Sequence, residues 1–471
     1  MLFNSFQFLF FLFVVALVNF ALPHRFRWMW LLAASCYFYM QFIPLYILIL
    51  FATIVIDYYA AIWIFESKTK TRRRQYLALS IASVCGMLFF FKYFNFFNEN
   101  VARVAQIIGW NYSIEGLKII LPIGLSFHTF QSLSYVIEVF KGRQTPERHF
   151  GVYALYVMYF PQLVAGPIER PQNLLPQFHS KRDFDWNSIY EGSLLATWGL
   201  LKKVAIADCL SQYVDAAYDN YLNHSGVTLL LATYFFAFQI YCDFSGYSDI
   251  ARGVSRIFGI SLMKNFENPY FARSLSDFWA RWHISLSSWF KDYVYIPLGG
   301  NRVSIPHHVF NLILVFLLSG LWHGANWTFI AWGGLHGCCL AAERLAASSS
   351  RNLSKSNVIK LIGGPLKLTL TFNLVAFSWI FFRARSMHQA WEIVVKIFTD
   401  HGSLFKSAVI VQGALVILLL LFFDTMHELT GFWDRLLTIS PTLRGCCAIF
   451  FIFAIILFGV ESRNQFIYFQ F

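Results

Sequence analysis

The chain has 471 residues, of which 57% are hydrophobic, 19% are aromatic and only 13% are charged. A soluble globular protein carries about 25% charged residues, so this composition excludes an ordinary soluble domain and predicts a polytopic α-helical membrane protein. A β-barrel is disfavoured because the apolar runs are continuous rather than alternating. The net charge of +12 does not indicate a nucleic-acid partner, because the basic residues concentrate in short loops beside apolar runs.

The first third of the chain alternates apolar runs with basic loops. The run 3–20 has no basic segment before it, so it is predicted to be an uncleaved first span rather than a signal peptide. The other predicted spans of this part are 28–39, 45–65, 76–93 and 117–140, with a mixed stretch at 95–115.

Three loops share a positive charge, and the spans between them place all three on one side of the membrane. They lie at 24–27, 68–74 and 141–148. Short loops rich in Lys and Arg remain in the cytoplasm, so this side is predicted to be cytoplasmic and the N-terminus to be outside.

The middle of the chain is less regular. The run 153–164 is short for a span and is followed by a proline-rich segment, which predicts a re-entrant or interfacial element covered by protein. Further spans are predicted at 194–210, where Lys202 and Lys203 interrupt the run, and at 229–241. Segment 243–249 is predicted to break the helix, and Asp243 to be a buried or cavity-lining carboxylate.

Residues 257–301 combine charged and aromatic side chains, as membrane interfaces do. Segment 274–293 is predicted to form one amphipathic interfacial helix with Ser274 as its N-cap. His283 is placed on its aromatic face, and the aromatic residues that share this face are Trp279, Trp282, Trp289 and Phe290.

The segment 319–327, Ser-Gly-Leu-Trp-His-Gly-Ala-Asn-Trp, places His323 between apolar runs. A single buried His is more often a packing residue, but an imidazole at membrane depth is also the side chain best suited to accept a proton near neutral pH. The neighbouring residues favour the functional interpretation. Trp322 and Trp327 are predicted to shield His323 from water, and Asn326 is predicted to orient it. His336, flanked by glycines, is predicted to be a helix-packing residue.

The remaining predicted spans, 366–382, 408–423 and 448–460, bring the total to about ten. No internal repeat and no separate soluble domain is evident. The eight cysteines show no zinc-ligand spacing, so neither a metal nor a required disulfide is expected. Nucleotide-binding and GxSxG motifs are absent from the sequence.

Six segments together resemble the membrane-bound O-acyltransferase family, in its bacterial branch of alginate O-acetyltransferase membrane subunits and teichoic acid D-alanyl transferases. They occur in the family's order and cover nearly the whole chain: 127–135, 160–170, 242–249, 277–285, 295–301 and 320–325.

The resemblance implies a single domain over 1–471, with a catalytic core at 257–345. It also implies a ring of tilted helices, in which an outer funnel and an inner tunnel meet at the catalytic His. His323 takes the catalytic role and His283 that of a second polar group. The candidate substrate-binding residues are Trp322, Asn326, Asp243, Trp279 and Arg281.

The resemblance further implies transfer of an acetyl group from a cytosolic thioester, acetyl-CoA or another acyl carrier, to a hydroxyl of a cell-envelope polysaccharide. No bound cofactor is expected. A bacterial cytoplasmic membrane and an extracytoplasmic, esterase-like partner fit this activity. Two alternatives remain: D-alanyl or other acyl transfer to teichoic acid or peptidoglycan, and a polar-solute transporter that uses His and Asp as a proton relay.

Overall fold

The computed structural model describes residues 1–119, 121–163, 166–349, 357–436, 440–460 and 466–467. Within these ranges every regular element is helical, which confirms the predicted all-α fold. Seven of the described helical stretches are long and apolar enough to cross a membrane, and the chain is a multi-pass membrane protein. They are Tyr46–Glu66, Lys70–Ile107, Gly226–Ile257, Ile305–His323, Gly363–Arg383, Ala408–Thr430 and Pro441–Phe458.

The sequence-based total of about ten spans also counted shorter runs. The first run forms helix Phe6–Ala21, which has 16 residues and is apolar but short. The run 194–210 divides between a helix and a π-helical turn, Lys202–Ala207. Residues 95–107 of the mixed stretch are helical, because the helical path from Lys70 continues to Ile107.

The chain forms two compact units, and the first consists of Met1–Ala196 and Ile250–Met263. The proline-rich part of this unit is buried over Phe160–Leu163, in keeping with the expectation that protein covers such backbone; Val164 and Ala165 lie outside the described residues. The helices of this unit are α1 (Phe6–Ala21), α2 (His24–Met40), α3 (Tyr46–Glu66), α4 (Lys70–Leu88), α5 (Phe94–Ile107), α6 (Leu125–Phe140), α7 (Phe150–Met158), α8 (Phe160–Leu163) and α9 (Pro171–His179).

The second unit consists of Thr197–Asp249 and Lys264–Phe471, and α10 (Trp186–Leu201) and α12 (Gly226–Ile257) have residues in both units. It holds all the candidate site residues. Its other helices are α11 (Asp208–Asp219), α13 (Leu275–Arg281), α14 (Ile284–Phe290), α15 (Ile305–His323), α16 (Trp327–Ser349), α17 (Asn357–Arg383), α18 (Met387–Thr399), α19 (Ala408–Thr430), α20 (Phe432–Leu436) and α21 (Pro441–Phe458).

The predicted helix break at 243–249 is wrong, because α12 runs without interruption over 32 residues. Gly246 serves close packing instead. A Cβ atom at this position would lie 2.7 Å from the carbonyl oxygen of Gly199, so the glycine lets α12 approach the backbone of α10. Small residues commonly allow such approach between membrane helices.

The single interfacial helix predicted over 274–293 is also wrong. Helix α13 ends at Arg281, His283 takes a left-handed conformation with φ of 44°, and α14 begins at Ile284. Only the predicted N-cap is confirmed, because the Ser274 hydroxyl accepts a hydrogen bond from the backbone N–H of Asp277. The aromatic side chains that this prediction placed on one face are buried in the protein; these are Trp279, Trp282, Trp289 and Phe290.

Helices α15 and α16 form an antiparallel hairpin with His323 at its turn. Gly320 and Gly333 allow the close contact, because a Cβ atom on either would lie 2.2 Å from a carbonyl oxygen of the opposite helix. Gly324 ends α15 in an extended conformation, as the sequence allowed. His323 therefore lies at the last turn of a tightly packed helix, on a rigid support.

Candidate active site

His323 is enclosed by aromatic rings and is only 3% exposed. The ring centroids of Trp322, Trp332 and Phe382 lie 4.9, 5.1 and 5.4 Å from that of His323. The predicted shield is therefore half correct. Trp322 contributes to it, but Trp327 is 50% exposed because it begins α16 on the outer side of the turn, and Trp332 and Phe382 complete the cage.

Asn326 does not orient His323 through its described hydrogen bonds. Its side-chain oxygen accepts from the backbone N–H of Thr328 at 3.1 Å, and its amide donates to the backbone carbonyl of Arg385 at 3.1 Å. Asn326 thus caps the start of α16 and ties it to the end of α17. Its predicted role toward substrate stays a prediction.

His283 is fully buried at the junction of α13 and α14. Its Nδ1 lies 3.1 Å from the side-chain oxygen of Asn265, which also accepts hydrogen bonds from the backbone and hydroxyl of Ser285. Burial lowers the pKa of His283, which favours the neutral imidazole that can accept a proton. The left-handed backbone costs on the order of 1–3 kcal/mol, so neighbouring contacts must stabilise it.

Trp322 brings the two histidines together. Its indole ring lies 4.9 Å from the His323 ring and 6.2 Å from the His283 ring, measured between centroids. The Phe244 ring meets His283 edge-on at 4.5 Å from the adjacent helix α12. Residues 40 positions apart in the sequence thus share one aromatic environment.

Trp279 and His336 pair with each other. The Trp279 indole N–H donates to His336 Nδ1 at 3.3 Å, and the His336 Nε2 lies 2.9 Å from the Ser378 hydroxyl. Gly337, next to His336, lies against the backbone of Ile313 on α15. These contacts agree with the packing role predicted for His336 and place Trp279 beside it.

Arg281 has its charge matched by two carboxylates. It donates to Asp277 at 2.8 Å and to Glu428 at 2.9–3.2 Å. A role for Arg281 in binding substrate stays a prediction, and these contacts show that it joins α13 to α19.

Asp243 is both buried and cavity-lining, as predicted. Its Oδ1 forms a 2.6 Å ion pair with Lys203, which also pairs with Asp208 at 2.9 Å, and its Oδ2 accepts from the backbone N–H of Ile467 at 2.7 Å. The three charged side chains are each no more than 3% exposed. Burial of such charges is tolerated only when they are paired.

A cavity of about 470 Å³ adjoins this cluster within the second unit. The residues that give it polar character include Lys203, Asp208, Gln239, Asp243, Asn326 and Arg383. Asn326 and Phe329, which immediately follow the His323 turn, also belong to its wall. The cavity therefore connects the buried ion cluster to the end of the hairpin that carries His323.

Comparison with known proteins decides the family. The model of the membrane-bound O-acyltransferase family matches residues 16–372. The chain belongs to this family. It is therefore an O-acyltransferase, and the transporter alternative is set aside.

Individual relatives of this membrane-bound O-acyltransferase give a finer picture. A peptidoglycan O-acetyltransferase of Helicobacter pylori is 36% identical over 78% of this chain and 72% of its own length. A probable alginate O-acetylase, AlgI, of Pseudomonas aeruginosa is 38% identical, over 85% and 75% respectively. A teichoic acid D-alanyltransferase of Streptococcus thermophilus is 28% identical, over 55% and 68%.

The sequence reasoning missed three contributors to the site. Lys203 was noted only as an interruption of an apolar run, although a lysine there is itself a signal of a buried partner. Asn265 had no signal beyond its place in a polar segment. Phe382 could not be assigned, because its contact with His323 depends on how α17 packs against the hairpin.

Proposed function

We propose that this protein transfers an acetyl group from acetyl-CoA, or another cytosolic acyl thioester, to a hydroxyl of a cell-envelope or exported polysaccharide such as alginate. The observation that carries the proposal is the meeting of His283 and His323 at Trp322 in a chain of this family. The two relatives at 36 and 38% identity, both named for O-acetylation, support acetyl as the acyl group.

In the proposed reaction His323 is the general base. It takes the proton of the acceptor hydroxyl while the oxygen attacks the thioester carbonyl. The carbon–sulfur bond breaks, and His323 passes the proton that it took from the hydroxyl to the CoA thiolate as it leaves. His283 acts as the second polar group that positions donor or acceptor, and a transient acetyl group on His323 is the alternative route.

The cavity lined by Asn326, three residues after His323, is proposed to admit the acceptor. Its cations and carboxylates are paired with one another, as in the 2.7 Å contact between Arg383 and Asp215, so it suits neutral hydroxyl groups better than a polyphosphate. The side-chain oxygen of Gln239 is buried there without a hydrogen-bond partner. A sugar hydroxyl can supply the missing donor.

A second protein outside the membrane is proposed to complete the transfer. Each described connection between successive helices is short and none can hold a sugar-modifying domain. An extracytoplasmic acetyltransferase or esterase-like partner would supply one. We place the protein in a bacterial cytoplasmic membrane, with its N-terminus outside and with 1–471 acting as one functional domain.

D-alanyl transfer to teichoic acid is the second candidate. The relative with that name supports it, but its identity is lower, at 28%. Peptidoglycan is a further acceptor to consider, because one relative is named for it. The acyl donor that the purified protein cleaves separates acetyl from D-alanyl transfer.

The substitution His323→Ala removes the proposed base. Loss of the base is expected to lower the acetyl content of the purified exopolysaccharide or peptidoglycan by at least about 100-fold, since general-base catalysis contributes roughly 10²–10⁴-fold. The measurement is ester-linked acetate released from polymer of cells in which the variant replaces the native chain.

His388→Ala is the matched control, because this imidazole belongs to the same unit but its side chain is 75% exposed. It should leave acetylation unchanged. Normal acetate release from cells carrying His323→Ala, at the wild-type amount of membrane protein, would end the proposal.

A further inference from the structure

Asn268 and His283 are the two non-glycine residues with positive φ among the residues that the structure describes. They lie on one segment, residues 265–284, which contains the short helix α13. We name this segment the histidine loop. Two backbone hydrogen bonds of 2.9 Å close its base, from Glu267 N–H to the Arg281 carbonyl and from Ile284 N–H to the Asn265 carbonyl. A left-handed non-glycine residue persists only where its surroundings hold it.

On the side of the histidine loop that contacts α12, Asn265 fixes the imidazole of His283. Its side-chain oxygen faces His283 Nδ1 and accepts from Ser285, while its amide donates to the Ser248 hydroxyl at 3.2 Å. Ser248 belongs to α12, so this side of the histidine loop is joined to a long membrane helix. These bonds fix the imidazole ring of His283. Other contacts hold the parts of the histidine loop around Asn268 and Arg281.

One face of α19 holds the histidine loop at three points. Asp424, His427 and Glu428 are spaced i, i+3 and i+4 and therefore share that face. The Asp424 carbonyl accepts from the Asn268 amide at 3.1 Å, His427 lies 2.9 Å from Glu267, and Glu428 accepts from Arg281 at 2.9–3.2 Å. Both ends of the loop are thus bound to a single helix.

The contact between Glu428 and Arg281 is the strongest of the three by geometry. Arg281 directs two nitrogen atoms to the Glu428 carboxylate and its Nε to Asp277. An isolated exposed ion pair contributes little, but here the side chains are only 23 and 33% exposed and the pair is part of a three-residue network. Arg281 is also two residues from His283, so its position fixes the backbone just before the left-handed turn.

We infer that Glu428 is a positioning residue for His283, acting through Arg281. This inference rests on the role of His283 in the proposed function. The described hydrogen bonds of Glu428 are to Arg281 and Asn268, and its effect is on the direction in which the imidazole faces Trp322. Loss of the carboxylate frees Arg281 from α19 and lets the loop relax out of its left-handed conformation.

The test uses inverted membrane vesicles that contain the full chain, supplied with labelled acetyl-CoA over a range of concentrations. Glu428→Gln keeps the side-chain shape and removes the charge. The maximal rate of label incorporation into polymer is expected to fall about tenfold, while the KM for acetyl-CoA changes less than twofold. In an Arg281→Gln background, Glu428→Gln should have no further effect, because the two residues act as one unit.

Glu392→Gln is the matched control, since Glu392 pairs with an exposed His on α18, and it should leave the rate unchanged. Should Glu428→Gln not accumulate, Arg281→Lys keeps the charge but loses the paired N–H groups and is expected to lower the rate about threefold.

A wild-type maximal rate in Glu428→Gln, or in Arg281→Lys where that variant is used, would overturn the inference provided that His283→Ala is inactive. Wild-type rates in both His283→Ala and His323→Ala would instead overturn the proposed function.

Discussion

Lys203 places a positive charge in the interior of a membrane protein, between Asp243 and Asp208. Its π-helical turn, Lys202–Ala207, departs from regular α-helical geometry, as often occurs near functional sites. A buried charge of this kind is costly unless paired. The lysine and the two aspartates therefore depend on one another for charge compensation, and loss of the lysine removes the cation that both aspartates contact.

Lys203→Met is expected to destabilise the protein by about 3–5 kcal/mol, because two buried carboxylates lose their cation. The measurement is the midpoint of thermal unfolding of the purified protein in detergent. Lys181→Met removes an exposed partner of Asp183, with side chains 69 and 78% exposed, and should cost about 0–1 kcal/mol. Equal midpoints for the two variants would contradict the mutual dependence.

At the scale of elements, the hairpin of α15 and α16 is the support of the site. Gly320 and Gly333 bring the two helices into backbone contact, and the turn between them carries His323. The sequence indicated the apolar runs and the packing role of glycines around His336. It did not indicate that His283 lies between two helices, because the grouping of His283 with Trp279 on one face assumed an unbroken helix.

Gly333 and Gly334 are adjacent and provide a matched pair of substitutions. A Cβ atom at Gly333 would lie 2.2 Å from the Phe316 carbonyl oxygen, whereas one at Gly334 would lie 3.6 Å from a Leu317 methyl group. Gly333→Ala is expected to destabilise the protein by about 1–3 kcal/mol through overpacking, and Gly334→Ala to be neutral. Thermal unfolding in detergent measures both, and the same loss at the two positions would refute the close-packing argument.

At the scale of the whole molecule, composition alone was enough to predict an all-helical membrane protein. The seven described helical stretches of spanning length arise from apolar runs that the sequence shows directly. The rest of the site could not be predicted in this way. Contacts such as those of Phe382 with His323 join residues that are far apart in sequence, and only the packed fold brings them together.

The basic segment at 68–74, which includes the first turn of α4, is predicted to face the cytoplasm, because short segments rich in Lys and Arg between spans stay on that side. A cysteine in place of Thr71 should therefore react with a membrane-impermeant maleimide only after the cells are permeabilised. A cysteine in place of Asn4, near the N-terminus, should react in intact cells. The reverse labelling pattern would contradict the predicted orientation. It would also place the face at 68–74 away from the cytosol, where the acyl donor is proposed to be.

The aromatic cage around His323 affects how readily water can hydrolyse the proposed acyl donor without transfer to an acceptor. Three rings and a 3% exposed imidazole leave little room for bulk solvent at the base. Because a dry site suppresses side reactions of activated groups, hydrolysis of the proposed acyl donor is expected to be slow while no acceptor is present. The enclosure would thus conserve the cell's supply of activated acyl groups until an acceptor arrives.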